Sequence, residues 1–142
     1  MPSYDTLVPE ERRDGMDTLN GTKHALLLGE KDFYIALGDF LDNFYRASQD
    51  ERIALISGQP IFPDTISKQE RCFFAASVHK LANEYSIIPP SWIFRKKYYL
   101  DHDEPFFGGD AKGRLRQYFM YTSPPEFKHR NIFVDPNILM RV

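Results

Sequence analysis

Cysteine is nearly missing from this 142-residue chain, which sets a first limit on it. Cys72 stands alone, so no disulfide can close within the chain. Among aromatic and small neighbours, a lone thiol reads as buried and inert. Long apolar runs are missing as well. Met1 to Asp14 mixes acids, bases and proline and lacks the apolar region of a signal peptide. Ala25-Leu26-Leu27-Leu28 is far too short to span a bilayer. A cytoplasmic protein is the expectation. Neither sign of charge dominates either: the net charge is −2, so there is no global electrostatic case for nucleic acid or membrane. No repeat and no low-complexity tract breaks the chain. Its length suits one domain with one core.

What is present is aromatic and unevenly charged. Phe, Tyr and Trp make up 15% of the residues, with Trp92 the single tryptophan. Residues 1–88 hold nine Lys/Arg against fourteen Asp/Glu (−5), and residues 89–142 hold nine against six (+3). Two halves of opposite sign attract each other, and +3 falls short of a concentrated phosphate-binding stripe. From Ile88 onward, rings and prolines alternate with single basic residues and no long helical period appears. That much aromatic surface has to cover something.

Helical signals concentrate earlier. Residues 1–20 are polar and Pro/Gly-containing, the pattern of a flexible segment, and Thr22 to Leu28 suits a short turn. Phe33, Leu37, Phe40, Leu41 and Phe44 form one apolar stripe, predicting a helix near 31–48. Gly38 within it points to a close neighbouring backbone. Ser48-Gln49-Asp50-Glu51 is a capping box opening a helix over 50–57, stopped at Gly58. Ser67-Lys68-Gln69-Glu70 is a second box. It opens a helix over 67–85 with Phe74, Val78, Leu81 and Tyr85 on one face, closed before Pro89-Pro90. Beyond lie short pieces: a turn at Pro90-Ser91-Trp92, and a helix from Lys112 to Tyr121 with Leu115, Tyr118 and Phe119 on one side. A strand is the alternative for Gln117 to Tyr121. Ser123 reads as the N-cap of a short helix with Pro124 first and Glu126 third, and Ile132-Phe133-Val134 is β-like. Asp135-Pro136 repeats the cap-then-proline signal. The fold expected is mostly α: a single helical domain over 21–142, with an irregular aromatic C-terminal third wrapped onto it.

Four constellations could carry chemistry. Asp101-His102-Asp103-Glu104 gathers potential metal ligands, but four consecutive side chains cannot converge on one ion, and a solvated acidic loop is the plainer reading. Gly108-Gly109-Asp110-Ala111-Lys112-Gly113-Arg114 could cradle an anion ahead of a helix. It is neither a Walker A loop nor a dinucleotide fingerprint, and glycines more often serve a turn. Arg95-Lys96-Lys97-Tyr98-Tyr99 interleaves cations with rings, as single-stranded nucleic acid binding requires, yet would serve equally to pair with the acidic helices. Phe127-Lys128-His129-Arg130-Asn131 is a polar knot in which Arg130 can pin a carboxylate. Cys72 and His79 lie two helical turns apart, too far for a hydrogen bond. No catalytic residue, cofactor or metal is expected.

Pro90-x-Trp92, Leu100, Pro105-Phe106-Phe107, Leu115-Arg116, Ser123-Pro124-Pro125-Glu126-Phe127 and Arg130-Asn131-Ile132-Phe133-Val134 form a series. It resembles the C-terminal half of a family of small uncharacterised bacterial proteins, and the layout extends over about Phe33 to Val142. The resemblance implies a bacterial cytoplasmic protein that binds a partner, in operons like those of toxin–antitoxin or mobile-element modules. It carries no catalytic residue over.

The function expected is a non-enzymatic protein-interaction module. The interaction candidates are Trp92, Arg95, Lys96, Lys97, Phe106, Phe107, Arg114, Phe127 and Arg130, facing a protein partner or a second copy. A nucleic-acid-associated regulator using the basic, aromatic C-terminal third is the alternative.

Overall fold

The computed structural model describes residues 32–141, so the segment expected over 1–20 and the turn over 22–28 lie outside the described residues. The chain is mostly helical, and its described residues divide into two compact units: residues 32–66 with Arg141, and residues 67–140.

In the first unit, α1 spans Phe33–Arg46 and α2 spans Gln49–Ser57. Asp32 caps α1 by accepting from the Ile35 amide at 2.9 Å, and the expected stripe is buried from Phe33 to Phe44. The Ser48 capping box forms as expected, the Ser48 amide donating to Glu51 at 2.8 Å. Arg52 of α2 reaches back to the end of α1, donating to the Phe44 and Tyr45 carbonyls at 2.9 and 2.8 Å. It thereby satisfies acceptors that the helix end leaves open. Gly38 is closely approached, but by a side chain rather than a backbone: a Cβ there would meet the Arg141 guanidinium at 3.1 Å. Arg141 is held in turn by Asp42, at 3.0 Å from Nε.

The second unit is built around α3, Lys68–Glu84. Its Ser67 capping box is closed by bonds of 3.0 and 3.1 Å. Burial is not confined to one face. Cys72 to Val78 are all buried, with Leu81 and Ala82, so α3 is the axis of the unit rather than an amphipathic surface helix. Ala75, Ala76 and Ser77 are small enough to let neighbours approach from every side, and Ser77 directs its hydroxyl inward to the Phe73 carbonyl at 2.9 Å.

The aromatic C-terminal third wraps this axis. Tight 3-10 turns at Ser91–Phe94 and Lys96–Tyr98 lay Trp92 against Phe74, their centroids 6.2 Å apart, and Tyr98 against Trp92 at 5.1 Å. Phe127 meets Phe73 edge to face at 5.1 Å.

Strand β1, Phe106–Phe107, then pairs in parallel with β2, Ile132–Phe133. Parallel strands need a crossover, and here it contains helix α4, Arg114–Thr122, and the single turn α5, Pro125–Lys128. Between the two readings of Gln117 to Tyr121, helix holds.

Ser123 departs from its expected role. Pro124 is the N-cap of α5 and Pro125 its first residue. The Ser123 hydroxyl instead accepts from the Val134 amide at 2.8 Å and donates to the Phe119 carbonyl, tying the end of α4 to the end of β2. The chain after Asp135-Pro136 makes turns, not a helix, with the Asn137 amide on the Asp135 carboxylate at 2.7 Å.

Candidate interaction surface

The polar centre of the second unit is Arg130, which is 0% exposed. It follows α5 directly, so its side chain enters beneath the wrapped turns. Its Nη1 donates to His79 Nδ1 at 3.1 Å and to the Glu126 carbonyl at 2.9 Å, and its Nη2 donates to the Ile93 carbonyl at 2.9 Å. The guanidinium lies over the Tyr99 ring, 4.6 Å from its centroid. Among the described residues Nε has no hydrogen-bond partner.

The expected carboxylate does not appear: among the described residues Arg130 makes no ion pair, and carbonyls, an imidazole and a π face hold it instead. Glu126 turns its carboxylate away to accept from Asn83 Nδ2 at 2.8 Å.

This arrangement fixes the protonation of its neighbours. Because Nη1 donates to His79 Nδ1, the neutral His79 ring carries its proton on Nε2. Burial first, and then the Arg130 charge, hold His79 below the ordinary histidine range, with Glu126 opposing. Burial pushes the Cys72 thiol up to about 11 despite nearby Lys68, Arg71 and Arg130. Cys72 is therefore a poor nucleophile, and its thiol points to the Lys97 carbonyl at 3.7 Å. Apart from Arg130 Nε, the cluster is a structural lock, its guanidinium bonded inward and its imidazole and thiol held in their neutral forms.

Elsewhere, Asp101 to Glu104 are exposed, and among the described residues no three metal-ligating side chains come together. The loop is fastened by Asn131, which donates to the Asp101 carbonyl at 2.8 Å from a left-handed backbone, φ 66°.

The interaction candidates separate into three groups. Trp92, Phe127 and Arg130 are buried within the second unit, so they build its core rather than an open surface. Phe106 and Phe107 are half-buried in β1, where Phe107 stacks on Phe133 at 5.0 Å and carries the Arg116 guanidinium at 4.2 Å. Arg95, Lys96, Lys97 and Arg114 are exposed. Yet Tyr98 is buried and Tyr99 lies under Arg130, while Phe94, on the other side of that basic run, is 49% exposed and meets His79 edge-on at 5.1 Å.

Rings are exposed at Tyr34 and Phe94, and two more stand together on α4, on a face not expected to be open. Of its nine residues only Phe119 is buried. Leu115 and Tyr118, expected to pack beside Phe119, are 47% and 52% exposed, and Tyr121 is 84% exposed. At about 100° per residue, Arg114, Gln117, Tyr118 and Tyr121 fall on the side opposite Phe119. Arg114, Tyr118 and Tyr121 follow i, i+4, i+7, a spacing visible in the sequence once Phe119 is taken as the single inward residue.

Two exposed side-chain bonds fall at the end of this stripe, one within α4 and one from α5. Thr122 Oγ1 donates to the Tyr118 carbonyl at 2.8 Å, and Lys128 Nζ donates to the Tyr121 carbonyl at 3.3 Å. Comparison of the chain with protein families, with curated proteins and with solved structures returns no match.

Proposed function

We propose that this chain is a non-enzymatic interaction module that binds a protein partner through the outer face of α4. The observation that carries this reading is the Arg114, Gln117, Tyr118 and Tyr121 stripe. It is an exposed row of the residue types that anchor interfaces, mounted on a helix whose buried side is pinned by Phe119 and Ser123. Tyr and Arg bring large contact area and directional hydrogen bonds, and a fixed helix loses little freedom on docking. The polar cluster around Arg130 is committed to internal bonds, which favours binding over catalysis.

The resemblance to small bacterial proteins of toxin–antitoxin-like or mobile-element operons fits this reading, with the cytoplasm as the place of action. Among the described residues no helix is long and apolar enough to cross a membrane.

The test is a photo-crosslinking amino acid placed at Tyr121 and, as a control, at exposed Ile88. A discrete adduct from Tyr121 that Ile88 does not give is the expected result. Equal labelling from both positions, or none from Tyr121, would sink the reading. The nucleic-acid alternative predicts an adduct destroyed by nuclease.

A further inference from the structure

Local charge on α4 says what kind of partner the stripe fits. From Ala111 to Pro125 the sequence holds three cations, Lys112, Arg114 and Arg116, and no carboxylate. All three are exposed. Arg116 is turned onto Phe107, which brings its charge to one flank of the helix. Among the described residues, neither Lys112 nor Arg114 forms an ion pair. Both keep their charge available: Arg114 opens α4, about 10 Å along the helix from Tyr121, and Lys112 precedes the helix across Gly113. The face thus joins a short cationic edge to a hydroxyl-bearing aromatic one.

We propose that the partner presents an acidic segment, a polypeptide whose carboxylates meet Lys112 and Arg114 while its apolar or aromatic side chains lie on Tyr118 and Tyr121. This rests on the reading of α4 as the binding face and names the partner's chemistry. One magnitude favours a polypeptide over nucleic acid. Strong salt-dependent phosphate binding draws on about six to ten contacts, and three cations supply half of that at most. Carboxylates on a peptide are spaced widely enough for two or three to meet the available cations without excess repulsion.

Fluorescence anisotropy on the full chain tests this, with a fluorescein-labelled peptide of alternating Glu and Tyr and an oligo-dT of matched charge as probes. The expected result is peptide binding that weakens about tenfold in Lys112→Glu with Arg114→Glu, stays within about twofold in Lys96→Glu with Lys97→Glu, and exceeds oligo-dT binding. The Lys96/Lys97 pair carries equal charge on an equally exposed segment, so it controls for non-specific attraction. Equal weakening by both pairs, tighter binding of oligo-dT, or no peptide binding would overturn the proposal. A Tyr121 crosslink that survives Lys112→Glu with Arg114→Glu would also overturn it while leaving α4 as the binding face. Loss of the crosslink in the unsubstituted chain would instead remove that face.

Discussion

Arg130 concentrates the energetic risk in the second unit. A buried guanidinium must be met by acceptors, and here three bonds and one aromatic face meet it while Nε is left over. Arg130→Ala strips two carbonyls and His79 of their donor and opens a cavity, so a loss of about 3 kcal/mol or more is expected in urea unfolding. Arg130→Met fills most of the space and removes the buried charge together with its desolvation cost, so it should lose less. Equal losses would show that shape, not charge, governs the site. His79 adds a pH dependence. Its folded-state value is depressed below the ordinary 6.5, so the unfolded chain takes up the proton first. Its contribution is therefore full above about pH 6.5 and falls away as pH drops through the lower folded-state value. Carboxyls held low, such as Glu51 bonded by the Ser48 amide, lose their contributions at more acidic pH. Urea midpoints of the native chain and His79→Gln should diverge from neutral pH downward, the variant showing the flatter curve. Parallel curves would mean that His79 is not the group responsible.

At the scale of elements, hydroxyl groups decide how the short pieces join. Ser48 and Ser67 cap helices from solvent-exposed positions, and their replacement by Ala should cost about 1 kcal/mol each. Ser123 is only 4% exposed and holds the Val134 amide, so Ser123→Ala leaves a buried donor without a partner. A loss of about 1–3 kcal/mol is expected, larger than for either cap. Hydrogen exchange at the Val134 amide, faster in Ser123→Ala than in Ser67→Ala, would locate the effect; unchanged exchange there would refute it. The same comparison shows why the sequence is legible in some places and not in others. Capping boxes act over four residues, so Ser48-x-x-Glu51 and Ser67-x-x-Glu70 state their geometry locally. The Ser123–Val134 tie and the Phe106–Ile132 pairing span longer separations, and no local pattern encodes them. Ser123 was expected as a cap because Pro124 could begin the helix; Pro125 begins it instead. The stripe on α1 is legible in the sequence because an amphipathic helix advertises its buried face. On α3 the same reading found one face of a helix buried on all sides, since Ala75, Ala76 and Ser77 carry no hydrophobic signature strong enough to mark burial.

Across the whole molecule, the aromatic surplus divides into two populations that composition alone does not separate. Trp92, Tyr98 and Phe127 are 3%, 1% and 0% exposed and enclose α3, whereas Tyr118 and Tyr121 stand in solvent on α4. In the sequence both groups sit beside prolines and basic residues, so ring content could predict coverage but not which rings cover and which are left open. The decisive information is the phase of α4 about Phe119, and that phase is set by the tie at Ser123 and by β pairing on either side of the crossover. The division has a measurable consequence. Trp92→Ala and Phe127→Ala remove rings packed against Phe74 and Phe73, and each should cost about 3–5 kcal/mol. Tyr121→Ala removes a ring that is 84% exposed and should stay within about 0.5 kcal/mol of the parent, and Tyr118→Ala, whose half-exposed ring lies 6.1 Å from that of buried Phe119, should cost far less than either core variant. If α4 is the binding face, the order inverts in a binding assay. The two tyrosine variants then fold normally and lose their partner, while any core variant that still folds keeps it. Thermal melts paired with anisotropy on the acidic peptide separate the two effects in one set of proteins. A Tyr121→Ala variant that melts far below the parent would place that ring in the core after all, and α4 would then be part of the wrapping rather than the surface that the wrapping presents.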